Sequence, residues 1–221
     1  RLGASSGEWK AMVADEAART TFAKNIKTVL EKNKLDGIDL DFEWAENEKE
    51  YKDYSLAILK MREVLGDKYL FSVSLHPVCY KISKEAIEAV DFISLQCYGP
   101  SPVRFPIEKY CSDIQMVLEY GIPKEKLVAG VPFYGVTKDN SKKTEAYFNF
   151  VQNGLVTSPA QNEVIYQGDT YVFDGQDNIR IKTRYAKEQK LKGMMSWDLA
   201  TDLPLSDSRS LLKTMTEELR E

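Results

Sequence analysis

Hydrophobic positions recur at two spacings along this chain, and the two spacings predict helices and strands that alternate. Apolar residues three to four positions apart predict helices at 9–33, 48–65, 83–89, 107–120, 182–190 and 206–219. Apolar residues at alternate positions, or in short runs, predict strands at 35–43, 69–76, 91–98, 127–133 and 192–197. Helices between successive strands indicate parallel strands joined by helical crossovers.

Polar side chains, several of them serines, occupy one face of each of two neighbouring predicted strands. They are Ser72, Ser74 and His76 on one strand and Ser94, Gln96 and Tyr98 on the next. A doubly wound parallel sheet is apolar on both faces, whereas a (β/α)8 barrel keeps functional side chains at the C-terminal ends of its strands. We therefore predict an α/β fold of the (β/α)8 TIM-barrel type. The Gly-, Asn- and Asp-rich segment 134–180 would be an insertion before the last strand.

The predicted strands are too few to close such a barrel. Eight strands and about 250 residues are usual, whereas five strands and a short stub at the start are evident in these 221 residues. An open barrel would leave two unpaired edges. We therefore expect a single domain over residues 1–221 whose barrel is incomplete at its N-terminus or completed by a partner.

The predicted strand at 35–43 is unusual because one of its faces is acidic. Asp39, Asp41 and Glu43 alternate with apolar residues, so the three acids share a face. Burying like charges together is costly unless they are paired or protonated. We therefore expect the row to share a proton, and we expect Glu43, nearest the C-terminal end of the strand, to keep its proton near neutral pH. A solvated edge face or a calcium loop are alternatives, but the flanking helices and the position of Gly37 argue against them.

Composition narrows the functional classes further. The net charge of −4 provides no broad basic surface for nucleic acid, and no run of about 18 apolar residues is present to span a membrane. Three cysteines without a CxxC pair argue against a disulfide framework and a zinc site. The single histidine, His76, argues against a histidine-rich metal centre and a Ser-His-Asp triad. We expect no metal and no other cofactor, and we expect His76 to be a packed residue rather than a base.

Segments in a fixed order resemble a known enzyme family. Asp36-Gly-Ile-Asp39-Leu-Asp41-Phe-Glu43 resembles the DGxDxDxE signature of family 18 glycoside hydrolases, the chitinase family. Further segments are similar to that family's later strands: Phe71-Ser-Val-Ser-Leu75, Gln96-Cys-Tyr98, Gly130-Val-Pro-Phe-Tyr-Gly135 and Gly193-Met-Met-Ser-Trp197-Asp198. The resemblance runs from about residue 2 to about residue 202 and covers the third to eighth barrel strands.

The resemblance implies a retaining hydrolysis in which the N-acetyl group of the substrate is the nucleophile. Glu43 would protonate the leaving oxygen and then activate water. Asp41 would orient the acetamide N–H group, and Asp39 would hold Asp41 and share its proton. The Tyr98 hydroxyl would donate a hydrogen bond to the acetamide oxygen.

The resemblance also implies a set of sugar contacts. Trp197 would stack beneath the sugar ring at the cleaved bond, and Gln96, Tyr134 and Trp44 would contact substrate. The residues by themselves leave two points open. One acid of the row could be a nucleophile or a general base. Asp198 and Asp202 could bind sugar or cap a helix.

Three positions depart from the family pattern. Arg1-Leu-Gly3-Ala4 replaces the usual Ser-x-Gly-Gly of the third strand, and Trp44 replaces a tyrosine. Gly99 replaces the aspartate or asparagine that usually follows the tyrosine at 98. One polar contact to the sugar is therefore missing from the expected set.

We expect a chitinase-like glycoside hydrolase that cleaves β-1,4 bonds in oligo- or polysaccharides containing N-acetylglucosamine. An endo-β-N-acetylglucosaminidase acting on N-glycans is one alternative. A catalytically inactive chitinase-like lectin is another, although the presence of Glu43 and Asp41 argues against it. The family alone implies a secreted, periplasmic or cell-surface location.

Overall fold

The computed structural model describes residues 6–99, 105–139 and 143–220. Helices and strands alternate through most of this range. In chain order they are α1 (Ser6–Ala14), α2 (Glu16–Asn33), β1 (Gly37–Asp41), α3 (Glu48–Leu65), β2 (Leu70–Leu75), α4 (Lys84–Ala89), β3 (Phe92–Leu95), α5 (Ile107–Tyr120), β4 (Leu127–Pro132), β5 (Tyr134–Thr137), β6 (Thr144–Ala146), α6 (Tyr147–Gln152), β7 (Glu163–Tyr166), β8 (Asp169–Val172), α7 (Gln176–Glu188), β9 (Gly193–Trp197) and α8 (Leu211–Arg220).

The described residues form two compact units. The first contains the chain up to Leu95 together with Val117–Leu127. The second contains Gln96–Met116 and the chain from Val128 onward. No helix in the part of the chain that the structure describes is long and apolar enough to cross a membrane.

The first unit is built on three parallel strands, in the order β1-β2-β3. One face of β1 is apolar, and Leu40 and Phe42 are each only 1% exposed. The Phe42 ring packs edge-on against Tyr54 of α3, with ring centroids 5.1 Å apart, and packs at a tilt of 32° against Trp9 of α1, with centroids 5.8 Å apart. The helices therefore cover the apolar face of β1, and the acidic face is left for other contacts.

Helix capping explains one difference from the prediction. The pattern predicts a single helix over 9–33, but the structure has α1 and α2 with a break at Asp15. The Asp15 side chain accepts a hydrogen bond from the Ala18 N–H group at 2.7 Å, so it is the N-cap of a new helix. Asn47 caps α3 in the same way, and this helix has the predicted bounds.

The predicted strand over 91–98 is shorter in the structure. Its ladder ends at Leu95, which pairs with Leu75, the last residue of β2. The strand ends there, and Gln96 leads into a turn at Cys97 and Tyr98. Similarly, β1 ends where Asp41 pairs with Ser74, so Glu43 lies two residues beyond the strand.

The second unit contains a parallel pair and a separate antiparallel sheet. Strands β4 and β9 are parallel, with Gly130 opposite Met195 and Pro132 opposite Trp197. Strands β5 to β8 lie in the segment 134–180 and form an antiparallel sheet in the order β6-β5-β8-β7. A side chain at Gly135 would meet the Phe150 ring at 2.7 Å, so glycine allows α6 to approach β5 closely.

Helix α7 begins at Gln176, although the pattern predicts its start near residue 182. Its buried face includes Gln176, Lys182 and Thr183, which an apolar pattern does not reveal. The Lys182 ammonium lies 2.5 Å from the Asp174 carboxylate, and both side chains are buried. The last helix likewise begins at Leu211 rather than near residue 206. Its N-terminus is fixed by Asp202, which accepts hydrogen bonds from the Leu211 and Leu212 N–H groups.

We predict that Lys182→Ala lowers the free energy of unfolding by about 3 to 5 kcal/mol, because it leaves the Asp174 carboxylate buried without its counter-ion. Urea denaturation of the variant and the wild type measures the difference. Lys143 provides the control, since its ion pair with Asp169 is exposed. Lys143→Ala should leave the unfolding midpoint almost unchanged. Equal effects of the two substitutions would contradict a special role for the buried pair.

Candidate active site

The acidic strand places its carboxylates at the C-terminal end of β1. Asp41 is 7% exposed, whereas Asp39 and Glu43 are half-buried. In the parallel register Asp39 lies opposite Ser72, and Asp41 lies opposite Ser74. The acidic residues of one strand therefore adjoin the small polar residues of the next.

Two serine hydroxyls of β2 hold the Asp39 carboxylate. Ser72 donates to Oδ1 at 2.6 Å, and Ser74 donates to Oδ2 at 2.7 Å. Because each oxygen accepts a bond from a different residue, the carboxylate has little freedom to rotate. The two serines on the polar face of the predicted strand 69–76 are therefore hydrogen-bond donors to Asp39, a role that the sequence alone did not reveal.

A buried tyrosine supports β1 from the helix side. The Tyr54 hydroxyl donates to the Leu40 carbonyl at 3.3 Å. Complete burial raises the pKa of Tyr54 well above its usual range, and the charges of Asp39 and Asp41 add to the shift. Tyr54 therefore stays a neutral hydrogen-bond donor at physiological pH and fixes the backbone between the two aspartates.

Trp44 and His76 pack together just beyond these strands. Their ring centroids are 5.2 Å apart. The Val78 N–H group donates to Nδ1 of His76 at 3.2 Å, and the histidine is 2% exposed. This is the packed, hydrogen-bonded role predicted for His76. The indole Nε1 of Trp44 is buried and has no hydrogen-bond acceptor among the described residues.

Cys79 helps to hold the segment after Glu43. Its sulfur accepts a hydrogen bond from the Ala45 N–H group at 3.3 Å. Burial raises the pKa of the Cys79 thiol to about 11, and burial likewise raises that of Cys97, in the second unit, to about 12. Both thiols therefore remain protonated at neutral pH and are poor nucleophiles.

In the second unit, Tyr98 lies in an aromatic and thioether environment. Gln96 and Tyr98 are 8% and 6% exposed. The Tyr98 ring lies edge-on to Tyr134 with a centroid distance of 6.4 Å. The Tyr98 hydroxyl lies 3.9 Å from Sδ of Met195 on β9. Gln96, Tyr98 and Tyr134 therefore belong to one unit, with Met195 as a neighbour that the sequence did not single out.

Trp197 ends β9 and is 39% exposed, so part of its ring is available for contact. Its carbonyl accepts a hydrogen bond from the Phe133 N–H group at 2.8 Å. The two aspartates that follow are caps. Asp198 accepts from the Ala200 N–H group at 2.9 Å, and Asp202 caps α8. The structure thus gives both aspartates a helix-capping role.

Each unit brings together part of the predicted set. Asp39, Asp41, Glu43 and Trp44 follow one another along the first unit, and Gln96, Tyr98, Tyr134 and Trp197 belong to the second.

Sequence reasoning did not assign a role to Ser72 and Ser74. Their alternation beside an acidic strand was a usable signal, but the strand register was needed to interpret it. Within the described ranges, no group of three or more His, Cys, Asp or Glu side chains is arranged to hold a metal ion.

We predict that Ser72→Ala lowers the free energy of unfolding by about 1 to 2 kcal/mol, because one oxygen of the half-buried Asp39 carboxylate loses its donor. Chemical denaturation measures the change. In an Asp39→Ala background the same substitution should cost less than about 0.5 kcal/mol, since the shared hydrogen bond is already absent. An equal cost in both backgrounds would show that Ser72 acts through packing rather than through Asp39.

Comparison with known proteins gives one family. The family description "Glycosyl hydrolases family 18" matches residues 3–202 of this chain. Probable chitinase 2 of Drosophila melanogaster is 23% identical over 261 residues, which cover 89% of this chain and 54% of that protein. The chain therefore spans about half the length of this curated relative.

Two solved structures are similar to the chain in fold. The GH18 chitinase ChiB from the chitin utilization locus of Flavobacterium johnsoniae has a TM-score of 0.81 and 25% identity, over 99% of this chain and 72% of that one. A chitinase-like agglutinin from Robinia pseudoacacia has a TM-score of 0.82 and 18% identity, over 99% and 78% of the two chains. The chitinase neighbours are TIM barrels, so the predicted α/β barrel class is confirmed.

Proposed function

Because this chain belongs to the glycosyl hydrolases family 18, we propose that it hydrolyses β-1,4 bonds of glycans built from N-acetylglucosamine, such as chitin or its oligosaccharides. The observation that carries this proposal is the row of three carboxylates at the C-terminal end of β1 and just beyond it. Asp39 is held by two hydroxyls, Asp41 is almost buried, and Glu43 follows two residues later. A glycosidase needs a proton for the leaving oxygen and a group that stabilises an oxocarbenium-like centre.

Glu43 is the proposed acid. It is the last carboxylate of the row and is half-buried beyond the end of β1, where a barrel enzyme binds its substrate. Protonation of the glycosidic oxygen by Glu43 breaks the bond to the anomeric carbon. The resulting glutamate then accepts a proton from the water that attacks in the second step.

The proposed nucleophile is the acetamide oxygen of the substrate. Attack must come from the sugar face opposite the acid, and neighbours on one strand cannot easily flank the bond. Substrate assistance removes this difficulty. The acetamide oxygen forms a bond to the anomeric carbon as the glycosidic bond breaks, which gives an oxazolinium ion, and water later opens that ring with retention of configuration.

The remaining site residues assist the acetamide group in this proposal. Asp41 accepts the acetamide N–H hydrogen bond and stabilises the positive charge. Asp39 cannot easily turn, because Ser72 and Ser74 hold both its oxygens, so it serves as the fixed partner of Asp41. The Tyr98 hydroxyl donates to the acetamide oxygen.

Aromatic and amide side chains complete the proposed substrate contacts. Trp197 stacks on the sugar ring, which agrees with its exposed position at the end of β9. Gln96, Tyr134 and Trp44 provide further contacts. The proposed partner is therefore an oligo- or polysaccharide with 2-acetamido groups, and the proposed location is outside the cytoplasm, where such polymers occur.

We predict that Glu43→Gln lowers turnover of chitin oligosaccharides by at least about 10²-fold, because the amide cannot donate the catalytic proton. Binding of the oligosaccharide should persist, and isothermal titration calorimetry measures it in the same preparation. Glu46→Gln is the matched control, because this exposed residue pairs with Lys10 on the surface. Near-normal turnover of Glu43→Gln would rule out Glu43 as the acid.

We also predict inhibition by a thiazoline analogue of the oxazolinium ion. The analogue should compete with chitin oligosaccharides, because it resembles the proposed cyclic intermediate. The same sugar without the thiazoline ring is the control and should bind more weakly. If the active enzyme binds both compounds equally, the substrate-assisted mechanism is wrong.

A lectin is the second candidate function, because the Robinia neighbour is a chitinase-like agglutinin of the same fold. An endo-β-N-acetylglucosaminidase is the alternative within enzymes. Parallel assays of the full-length protein on chitin oligosaccharides and on a high-mannose glycoprotein separate the three. Release of intact glycans indicates the endoglycosidase, whereas binding without cleavage of either substrate indicates the lectin.

A further inference from the structure

The first unit contains a cavity of about 480 Å³ that the proposed hydrolysis does not use. It lies between α3, the start of α4 and the last turn of α5. Its volume is in the usual range of small-molecule sites. Helices α3 and α4 come before and after β2, which is paired with a strand on each side. The cavity therefore borders elements from the interior of the sheet rather than an edge strand.

Two tyrosines fix the walls of this cavity before any ligand binds. The Tyr51 hydroxyl on α3 donates to the Val78 carbonyl at 3.2 Å. The Tyr120 hydroxyl at the end of α5 donates to the Ile82 carbonyl at 2.9 Å. Both acceptors belong to the loop between β2 and α4. Because each hydroxyl is bonded to the backbone of one loop, the two rings have little freedom to move, and a ligand meets preformed walls.

The walls present carbon atoms to solvent. Tyr120 and Leu56 are 41% and 38% exposed, and Leu59, which also lines the cavity, is half-buried. The Tyr80 ring packs perpendicular to Tyr120, with ring centroids 5.3 Å apart, and supports it from one side. Since backbone carbonyls occupy the tyrosine hydroxyls, the walls offer ring and methyl carbons to an occupant. Such a surface favours a ligand that has an apolar face.

The rim of the cavity carries balanced charge. Its exposed charged residues are Glu48, Lys52, Lys81 and Glu85. The two acids offset the two lysines, whereas a site for a phosphate group, a nucleic acid or an anionic lipid would be mainly basic. The rim therefore favours a neutral occupant whose hydroxyl and amide groups form hydrogen bonds with both kinds of charged group.

We propose that this cavity is a second binding site for neutral glycans of N-acetylglucosamine, separate from the carboxylates of β1. The C–H face of a pyranose ring and the acetamide methyl group match the tyrosine and leucine carbons. The sugar hydroxyl and N–H groups match the charged rim. The choice of this sugar rests on the proposed function. Such a site holds a long glycan on the enzyme and raises the local concentration of cleavable bonds.

The first measurement locates bound glycan on the full-length Glu43→Gln protein, so that the probe is not cleaved. A chitohexaose with a photoreactive diazirine is irradiated with the protein, and labelled tryptic peptides are identified by mass spectrometry. Peptide 53–60, which contains Leu56, should be labelled, and excess unlabelled chitohexaose should suppress the label. Leu56→Glu should reduce this label at least about tenfold, because a carboxylate disfavours contact with the apolar sugar face. The control Ile181→Glu changes an exposed residue of α7, in the second unit, and should leave the label unchanged.

Two substitutions at Tyr120 separate the ring from its hydroxyl. Tyr120→Phe keeps the ring and loses the hydrogen bond to Ile82, so most of the label on peptide 53–60 should remain. Tyr120→Ala removes the ring, and the label should fall at least about tenfold. Equal loss of the label in the two variants would contradict binding through the aromatic wall.

Hydrolysis gives an independent measurement with Glu43 intact. Leu56→Glu should lower the ratio of activity on insoluble chitin to activity on chitotriose about tenfold, since only a long polymer reaches both sites at once. A protein that cleaves neither substrate but is labelled on peptide 53–60 contradicts the proposed function and supports the cavity site. Absence of that label, in an active or an inactive protein, overturns the proposal, and so does a label that Leu56→Glu does not reduce.

Discussion

The acidic end of β1 depends on the hydrogen bonds that two β2 serines donate to one carboxylate. They join Asp39 to Ser72 and Ser74, and they require β1 and β2 to keep one register. A slip of one residue would turn the acidic face toward the helices and the apolar face toward the serines. The burial of Leu40 and Phe42 on the other face opposes that slip. Packing on one face and hydrogen bonding on the other therefore specify the same register.

The regular elements could be predicted from the sequence where local signals agree. Helices α3 and α5 have the predicted bounds, because each has a steady apolar stripe, and Asn47 caps the first of them. Helix α7 could not be placed correctly because its buried face includes Lys182 and Gln176, which a search for apolar spacing does not detect. The break at Asp15 was also missed, since the apolar stripe continues across it.

The candidate site was predictable as a list of residues but not as an arrangement. The acidic row and the serines were visible as alternating patterns, but their contact depends on a register between strands more than 30 residues apart in sequence. The environment of Tyr98 depends on Met195, which is 97 residues away. No local pattern encodes such contacts. Fold similarity does not supply the function either, because a chitinase and a chitinase-like agglutinin have almost the same TM-score to this chain, 0.81 and 0.82.

The buried pair of Lys182 and Asp174 has a consequence for protein engineering. Asp174 comes two residues after β8, where the antiparallel sheet ends, and Lys182 lies on α7. A foreign β5–β8 module could replace the native one only if the transplanted segment stops short of Asp174. A chimera joined beyond that position would lose Asp174, and the buried Lys182 ammonium would then have no counter-ion in this pair. The useful crossover point is therefore set by electrostatics rather than by the end of the last strand.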